Sequence, residues 1–319
     1  MFSMTSTSSI GVMLPRDFPA HQVLDYARTA ERIGFGELWV VEDLGFRGGF
    51  SQAAAVLAST ERIYVGIGIL PAASRNVAFA AMEIATLGQL FPGRVAVGIG
   101  HGMPGWMRQA GCWPERPLTY LREYTEGLRA LLGGDTLYGT VAGARLEDVR
   151  LAPSSLPESV PPFLLGVRGP RSLAVSGQVA DGTVLAEPVT PEYVVAASEQ
   201  IAAQGAHRVV AYNLAAVDQD SDAAIATARP GLEWIGEPDW APHLAPLPFA
   251  AQFAALRAGS VTRQEFVERL PAQWVQQLAL AGTPDQVRAR IDDLVAASNV
   301  LIPAGPDPLA ALEQLAGVL

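Results

Sequence analysis

The residues in this chain whose types and spacing point to chemistry are glycines. Tyr64 to Asn76 reads YVGIGILPAASRN, and Arg94 to Gly105 reads RVAVGIGHGMPG. In both, a β-branched apolar run breaks into glycine, which marks places where another group approaches the backbone closely. Gly100, Gly102 and Gly105 also meet the G-x-G-x-x-G spacing of a dinucleotide-binding turn, in which glycines let a pyrophosphate reach the start of a helix. Three observations weigh against that Rossmann reading. The strand before this turn is the fourth and not the first, and Pro104 sits inside the turn. In addition, no strand ending in an acidic residue follows about twenty positions on.

The elements that carry these glycines alternate in period. Short apolar runs at 10–14, 37–41, 63–67, 95–99, 163–165, 182–185, 209–214 and 300–302 read as strands. Between them, amphipathic stretches at 19–33, 49–59, 77–90, 118–132, 171–179, 191–203 and 284–297, and a last one from 308, read as helices. In the first helix Val23, Leu24, Ala27, Ala30 and Ile33 fall on one face, and Thr283 is a fitting N-cap for the one at 284–297. Repeated strand and helix imply parallel strands joined by right-handed crossovers. About eight strands over this length predict a closed (β/α)8 TIM barrel. Residues 135–152 read as a short hairpin excursion, and 218–280, rich in Pro and Trp, as an insertion after the seventh strand. The whole of 1–319 reads as a single domain with a tail at 1–8. In such a barrel the active site lies at the C-terminal ends of the strands. Gly66, Gly68, Gly98, Gly100, Gly102, Gly166 and Gly169 all fall there.

Composition narrows the function classes. The chain has 319 residues, half of them hydrophobic and 17% charged, with a net charge of −10. A broad nucleic-acid or anionic-membrane surface needs clustered cations, so the partner expected is a small molecule. All 22 basic residues are arginine. Cys112 is the single cysteine, which rules out an internal disulfide and a cysteine metal cluster and suits a cytoplasmic location. No window is long and apolar enough for a membrane span, and no metal is expected.

The order VGIGILPAASRN, MEIATLGQLFPGRVAVGIGHG, PPFLLGVRGPRSLAVSGQVADGTVL, GTPDQVRARIDDLV and LIPAGPDP resembles the luciferase-like monooxygenase superfamily. Within it, the chain is most like the coenzyme F420-dependent oxidoreductase branch, of the methylenetetrahydromethanopterin reductase type. The resemblance spans nearly the whole chain apart from the tail and 218–280. It implies a luciferase-like barrel, hydride transfer without metal between the deazaflavin and a small organic substrate, and pairing as a homodimer. FMN with oxygen, as in a monooxygenase, is the alternative, and a barrel that only binds a cofactor or ligand is another.

The same resemblance implies site residues. It places a non-prolyl cis peptide at Gly68–Ile69, with the Ile69 side chain pushed against the ring of the cofactor. Backbone amides of Gly100, His101, Gly102, Gly166, Val167, Arg168 and Gly169 are expected at the phosphate, with charge from Arg168 and Arg171. Glu42 stands where the family has a cofactor-contacting acid, while Asp43 replaces the histidine that often follows it. His101 and Asp43 are therefore the candidate acid/base groups, and Arg75 matches an arginine of the family that faces either the cofactor or an acidic partner on the barrel rim. Phe46, Trp106, Met107, Trp113, Trp234 and Trp240 are expected near the substrate, or packing the lid, and Met13 in the core.

Overall fold

In the computed structural model, which describes residues 8–319, eleven strands are present: β1 Ser9–Met13, β2 Glu37–Val40, β3 Tyr64–Pro71, β4 Val95–Gly100, β5 Leu137–Val141, β6 Ala144–Val149, β7 Phe163–Gly166, β8 Gly182–Leu185, β9 Arg208–Val217, β10 Leu280–Gly282 and β11 Ser298–Pro303. Eight of them close a parallel ring in the order β1, β2, β3, β4, β7, β8, β9, β11 and back to β1. This is the (β/α)8 barrel expected. β10 lies outside the ring, paired to the far end of β9, and β5 and β6 form the separate antiparallel hairpin. Of the expected tail, residues 1–7 lie outside the described residues. The Ser8 hydroxyl donates to Ala296 O at 2.9 Å and accepts from Asn299 Nδ2 at 2.8 Å.

The strands are apolar on both faces because both are covered. Their outward residues, such as Leu38, Val65, Val97 and Leu165, pack under the helices in the main core. Their inward residues form a second cluster of Met13, Trp39, Ala96, Leu164, Val184, Val210, Tyr212 and Val300 along the barrel axis. Local signals set many helix ends. Asn76 accepts from Ala78 N to start helix Val77–Leu90, and Thr283 with Gln286 forms a capping box on helix Pro284–Asp293.

Several boundaries differ from expectation, and three have a visible cause. The first helix starts at Val23, after a 3-10 turn at Ala20–Gln22. The helix expected at 284–297 stops at Asp293, since Val295 takes a left-handed φ of 46°. β9 runs on to Val217 because β11 and β10 supply partners along it, which no local pattern reveals.

The N-terminal end of the barrel is closed by a buried ion pair. Glu37, 4% exposed, accepts from Arg208 at 2.5 Å, from the Ser298 hydroxyl at 2.8 Å and from Trp39 Nε1 at 2.8 Å. Both oxygens of this carboxylate, which burial strips of water, thus find donors. Between β9 and β10 lie five α-helices with a core of their own, built on Phe253, Phe266, Leu270 and Val275. Among the described residues no helix is long and apolar enough to cross a membrane.

Candidate active site

Side chains alternate along each strand, so the inward positions nearest the C-terminal mouth on β3, β4 and β7 can be read from the register: Gly68, Gly98, Gly100 and Gly166. None carries a side chain, so this side of the mouth is left open by composition. The register of β3 against β4 slips between Ile67 and Leu70, where Gly68 and Ile69 together oppose Gly98. The peptide bond between them, Gly68–Ile69, is cis, as the resemblance implies.

The group that the glycines of β4 and β7 admit is Ile69. A Cβ on Gly100 would lie 2.2 Å from Ile69 Cδ1 and 2.7 Å from the carbonyl oxygen of Gly166; one on Gly166 would lie 2.4 Å from Ile69 Cγ2, and one on Gly98 2.5 Å from the carbonyl oxygen of Ile67 and 3.1 Å from Ile69 Cγ2. The two glycine runs are therefore halves of one construction. The third strand throws Ile69 inward, and the neighbouring strands lose their side chains to receive it. Ile69 is partly exposed, so it forms a small apolar ledge at the mouth.

Beneath the ledge lies an aromatic floor. Trp39 and Tyr212 meet edge to face at 5.6 Å. Gly66 exists because a Cβ there would enter the Trp39 indole at 2.3 Å, and Gly68 because one there would lie 1.8 Å from the Tyr212 hydroxyl. Tyr212 thus spans the barrel from the seventh ring strand to the third.

The acidic and basic residues of the mouth separate into units. Glu42 receives Arg75 through both oxygens, at 2.5 and 2.7 Å, and the Gly49 amide at 2.6 Å. Arg75 also lies 3.4 Å from Glu83 and over the Phe50 ring at 5.2 Å. Glu42, expected at the cofactor, and Arg75, expected at the cofactor or an acidic partner, hold each other and the start of helix Gly49–Ser59. Asp43 is paired with Arg16 at 2.8 Å, and Arg16 covers Phe46 at 4.9 Å. His101, at the end of β4, is half-buried, and burial holds its imidazole below its ordinary value.

Past β7, the Val167 side chain turns into the core, and Arg168 reaches the segment after β9. Its guanidinium lies over the Trp240 ring at 5.2 Å and donates to Asp239 O at 3.2 Å. Gly169, at φ 82°, caps helix Pro170–Val179 with open space where a Cβ would stand. Gly102, at φ 69°, packs under Met107. Of the aromatics expected at the substrate, Trp113 lies under Arg108 at 5.2 Å and Trp234 under Arg263 at 3.5 Å. Each ring is thus engaged by an arginine.

Residues that the sequence reading missed stand after β8. Glu187, joined to Pro188 by a cis bond, is half-buried, and desolvation pushes its carboxyl above the usual carboxylate range, with Arg168 opposing and Asp43 adding to the shift. The fully buried His243 stacks on Tyr193 at 4.4 Å, and its Nδ1 lies 3.3 Å from Pro188 O. A strand-end acid in the run VLAEPV was the available signal.

A cavity of about 570 Å³ lies at the opposite end, lined by Arg129, Asp181, His207 and Arg208. Its charges are already paired, Asp181 with Arg129 and Arg208 with Glu37. Catalytic groups of such barrels stand at the other face, and the mouth is the better candidate.

The model of the luciferase-like monooxygenase family matches residues 1–299. A 5,10-methylenetetrahydromethanopterin reductase of Methanolobus tindarius is 28% identical over 314 residues, 92% of each chain. An F420-dependent glucose-6-phosphate dehydrogenase of Beutenbergia cavernae is 33% identical over 184 residues, covering 53% of this chain and 52% of that one. Among solved structures, the coenzyme F420-dependent tetrahydromethanopterin reductase of Methanopyrus kandleri superposes with a TM-score of 0.79 at 22% identity, over 98% of both chains.

Proposed function

The chain belongs to the luciferase-like monooxygenase family, and on that footing we propose that it is an oxidoreductase transferring a hydride between coenzyme F420 and a small organic substrate. Its homologues include F420-dependent oxidoreductases. The observation that carries the reading is the Ile69 ledge. A flat tricyclic ring needs an apolar support with no competing side chains around it, and Ile69 seated on Gly98, Gly100 and Gly166 supplies both.

The residues present fit such a cofactor. Ile69 would bear the ring, and the amides around Gly100 to Gly102 and Gly166 to Gly169, with Arg168, would take the phosphate. The deazaflavin supplies a carbon that gives or accepts a hydride, as a nicotinamide does. The protein aligns the substrate, excludes water and manages a proton. Asp43, held by Arg16, orients the rim. His101, kept neutral by burial, serves as a proton acceptor or hydrogen-bond partner.

Fluorescence titration of the purified chain with coenzyme F420, beside FMN, tests the reading. Binding of F420 at least tenfold tighter than FMN (about 1.4 kcal/mol) is expected. The opposite order moves the protein to the oxygen-using branch, and binding of neither removes both. The expected homodimer has a candidate face in helix Val77–Leu90, whose Phe79, Met82 and Leu90 are 65%, 52% and 65% exposed. Light scattering that finds only monomer at micromolar concentration rejects it.

A further inference from the structure

If this barrel reduces its substrate, the mouth needs a proton donor that is charged with its proton at neutral pH. Neither group expected from the sequence fills that place. His101 is held neutral by burial and has no second proton to give, and the Asp43 carboxylate lies 2.8 Å from the Arg16 guanidinium. We propose that Glu187 is the catalytic acid, giving its proton to a substrate with a polarised C=O or C=N bond. The inference rests on the hydride-transfer reading above.

Geometry supports the assignment first. Glu187 follows β8, where barrel enzymes place their reacting groups, and three side chains, one from β9 and two from the helical segment after it, pin its loop. Trp240 Nε1 donates to Glu187 O at 3.0 Å, His243 Nδ1 lies 3.3 Å from Pro188 O, and Asn213 bonds both the amide and the carbonyl of Val189, at 2.9 and 3.0 Å. A side chain carried on so fixed a backbone returns to one place, which a proton donor requires. The charged and titratable groups around its carboxyl are Arg168 from the β7 loop, Asp43 and Arg16 from the first two strand ends and Tyr212 from β9. Tyr193 and His243 stand behind the loop itself, beside Arg168. Desolvation and the nearby Asp43 favour the protonated carboxyl, while Arg168 and Arg16 stabilise the carboxylate left after transfer.

The step balances as follows. The reduced deazaflavin, named by the reading above, supplies a hydride to the carbon of the C=O or C=N bond. The π pair moves to the oxygen or nitrogen, which takes the proton of Glu187. The substrate gains two electrons and two hydrogens, and Glu187 regains its proton from solvent. In the oxidative direction the Glu187 carboxylate takes that proton back.

The test reads the carboxyl itself. The full chain is labelled with carbon-13 at its Glu side-chain carboxyls, and Glu187→Gln assigns the resonance, with Glu187→Asp as second variant should the first fail to fold. The Glu187 signal is expected to titrate above the usual carboxylate range. It should move further up in Arg168→Gln and down in Asp43→Asn. Adding F420 as the probe should shift it, while Glu187→Gln binds F420 within about threefold of the parent (less than 1 kcal/mol). Burial alone raises the titration of a structural glutamate as well, but a glutamate remote from the cofactor would not respond to F420. Titration in the ordinary range, or a signal that ignores bound F420, overturns the proposal. If the parent chain binds no F420, the functional reading fails instead, and the titration still decides whether Glu187 holds a proton.

Discussion

Gly68→Val is expected to lose about 3 kcal/mol of stability, a drop in Tm on the order of 5–10 °C, and with it measurable binding of F420. The cause is the floor of the mouth. A Cβ at position 68 stands 1.8 Å from the Tyr212 hydroxyl, 3.0 Å from its Cζ and 2.9 Å from Trp39 Cε3. Tyr212 is 4% exposed and Trp39 fully buried, so neither ring has room to withdraw. Tyr212→Phe separates this explanation from general damage. The Tyr212 hydroxyl has no hydrogen-bond partner among the described residues, so its removal alone should change stability by less than about 1 kcal/mol. In the double variant the phenyl ring lacks the nearest clashing atom, and part of the loss should return. Thermal denaturation of the four proteins measures the coupling. Additive losses, or a Gly68→Val chain as stable as the parent, show that the floor is not packed as described.

The same floor marks how far the sequence could be read. The alternation of periods was enough for the barrel, because each ring strand is a short apolar run covered on both faces and the crossovers carry helices. The glycines at the mouth were visible too, and so was the family to which they point. What they admit was not visible. Gly66 makes room for Trp39, Gly68 for Tyr212 from the far side of the barrel, and Gly98, Gly100 and Gly166 for Ile69. These are contacts between strands far apart in sequence, and composition carries no trace of which neighbour fills which gap.

The charged residues show the same limit. Arg75 was read as facing either the cofactor or an acidic partner on the rim, and which acid that partner is, Glu42, was not legible. Glu187 was passed over because a single Glu-Pro step after a four-residue strand looks like any loop. Its setting comes from Trp240, His243 and Asn213, which lie 26 to 56 positions further on in the chain. The electrostatic character of the mouth is thus a property of the closed ring and of the helical segment after β9, and neither exists until the chain has folded.

That segment also gives the protein its steepest expected response to acid, through His243. Burial lowers this imidazole from 6.5 to about 3, with Arg168 adding to the shift. The sign follows from linkage. Above the ordinary value neither folded nor unfolded chain protonates it, and between that value and about 3 only the unfolded chain does, so stability falls with pH at about 1.4 kcal/mol per unit. Near pH 4.5 the loss amounts to roughly 2–3 kcal/mol, and below about 3 the slope ends. His101 and His207 are also lowered by burial and act in the same sense, while the raised Glu187 acts in the opposite one. Comparison of the parent with His243→Phe cancels them. The phenyl ring keeps the stack on Tyr193 and gives up the contact with Pro188 O, at a pH-independent cost of about 1 kcal/mol. Urea unfolding near pH 8 should therefore favour the parent, and near pH 4.5 the variant, by about 1–2 kcal/mol. Curves that stay parallel across this interval would place the acid response elsewhere. Crossing curves would show that the contact that pins the Glu187 loop in neutral solution becomes a liability in acid, because a carbonyl can hold only the Nδ1 hydrogen while a second proton enters a site that Arg168 already makes positive.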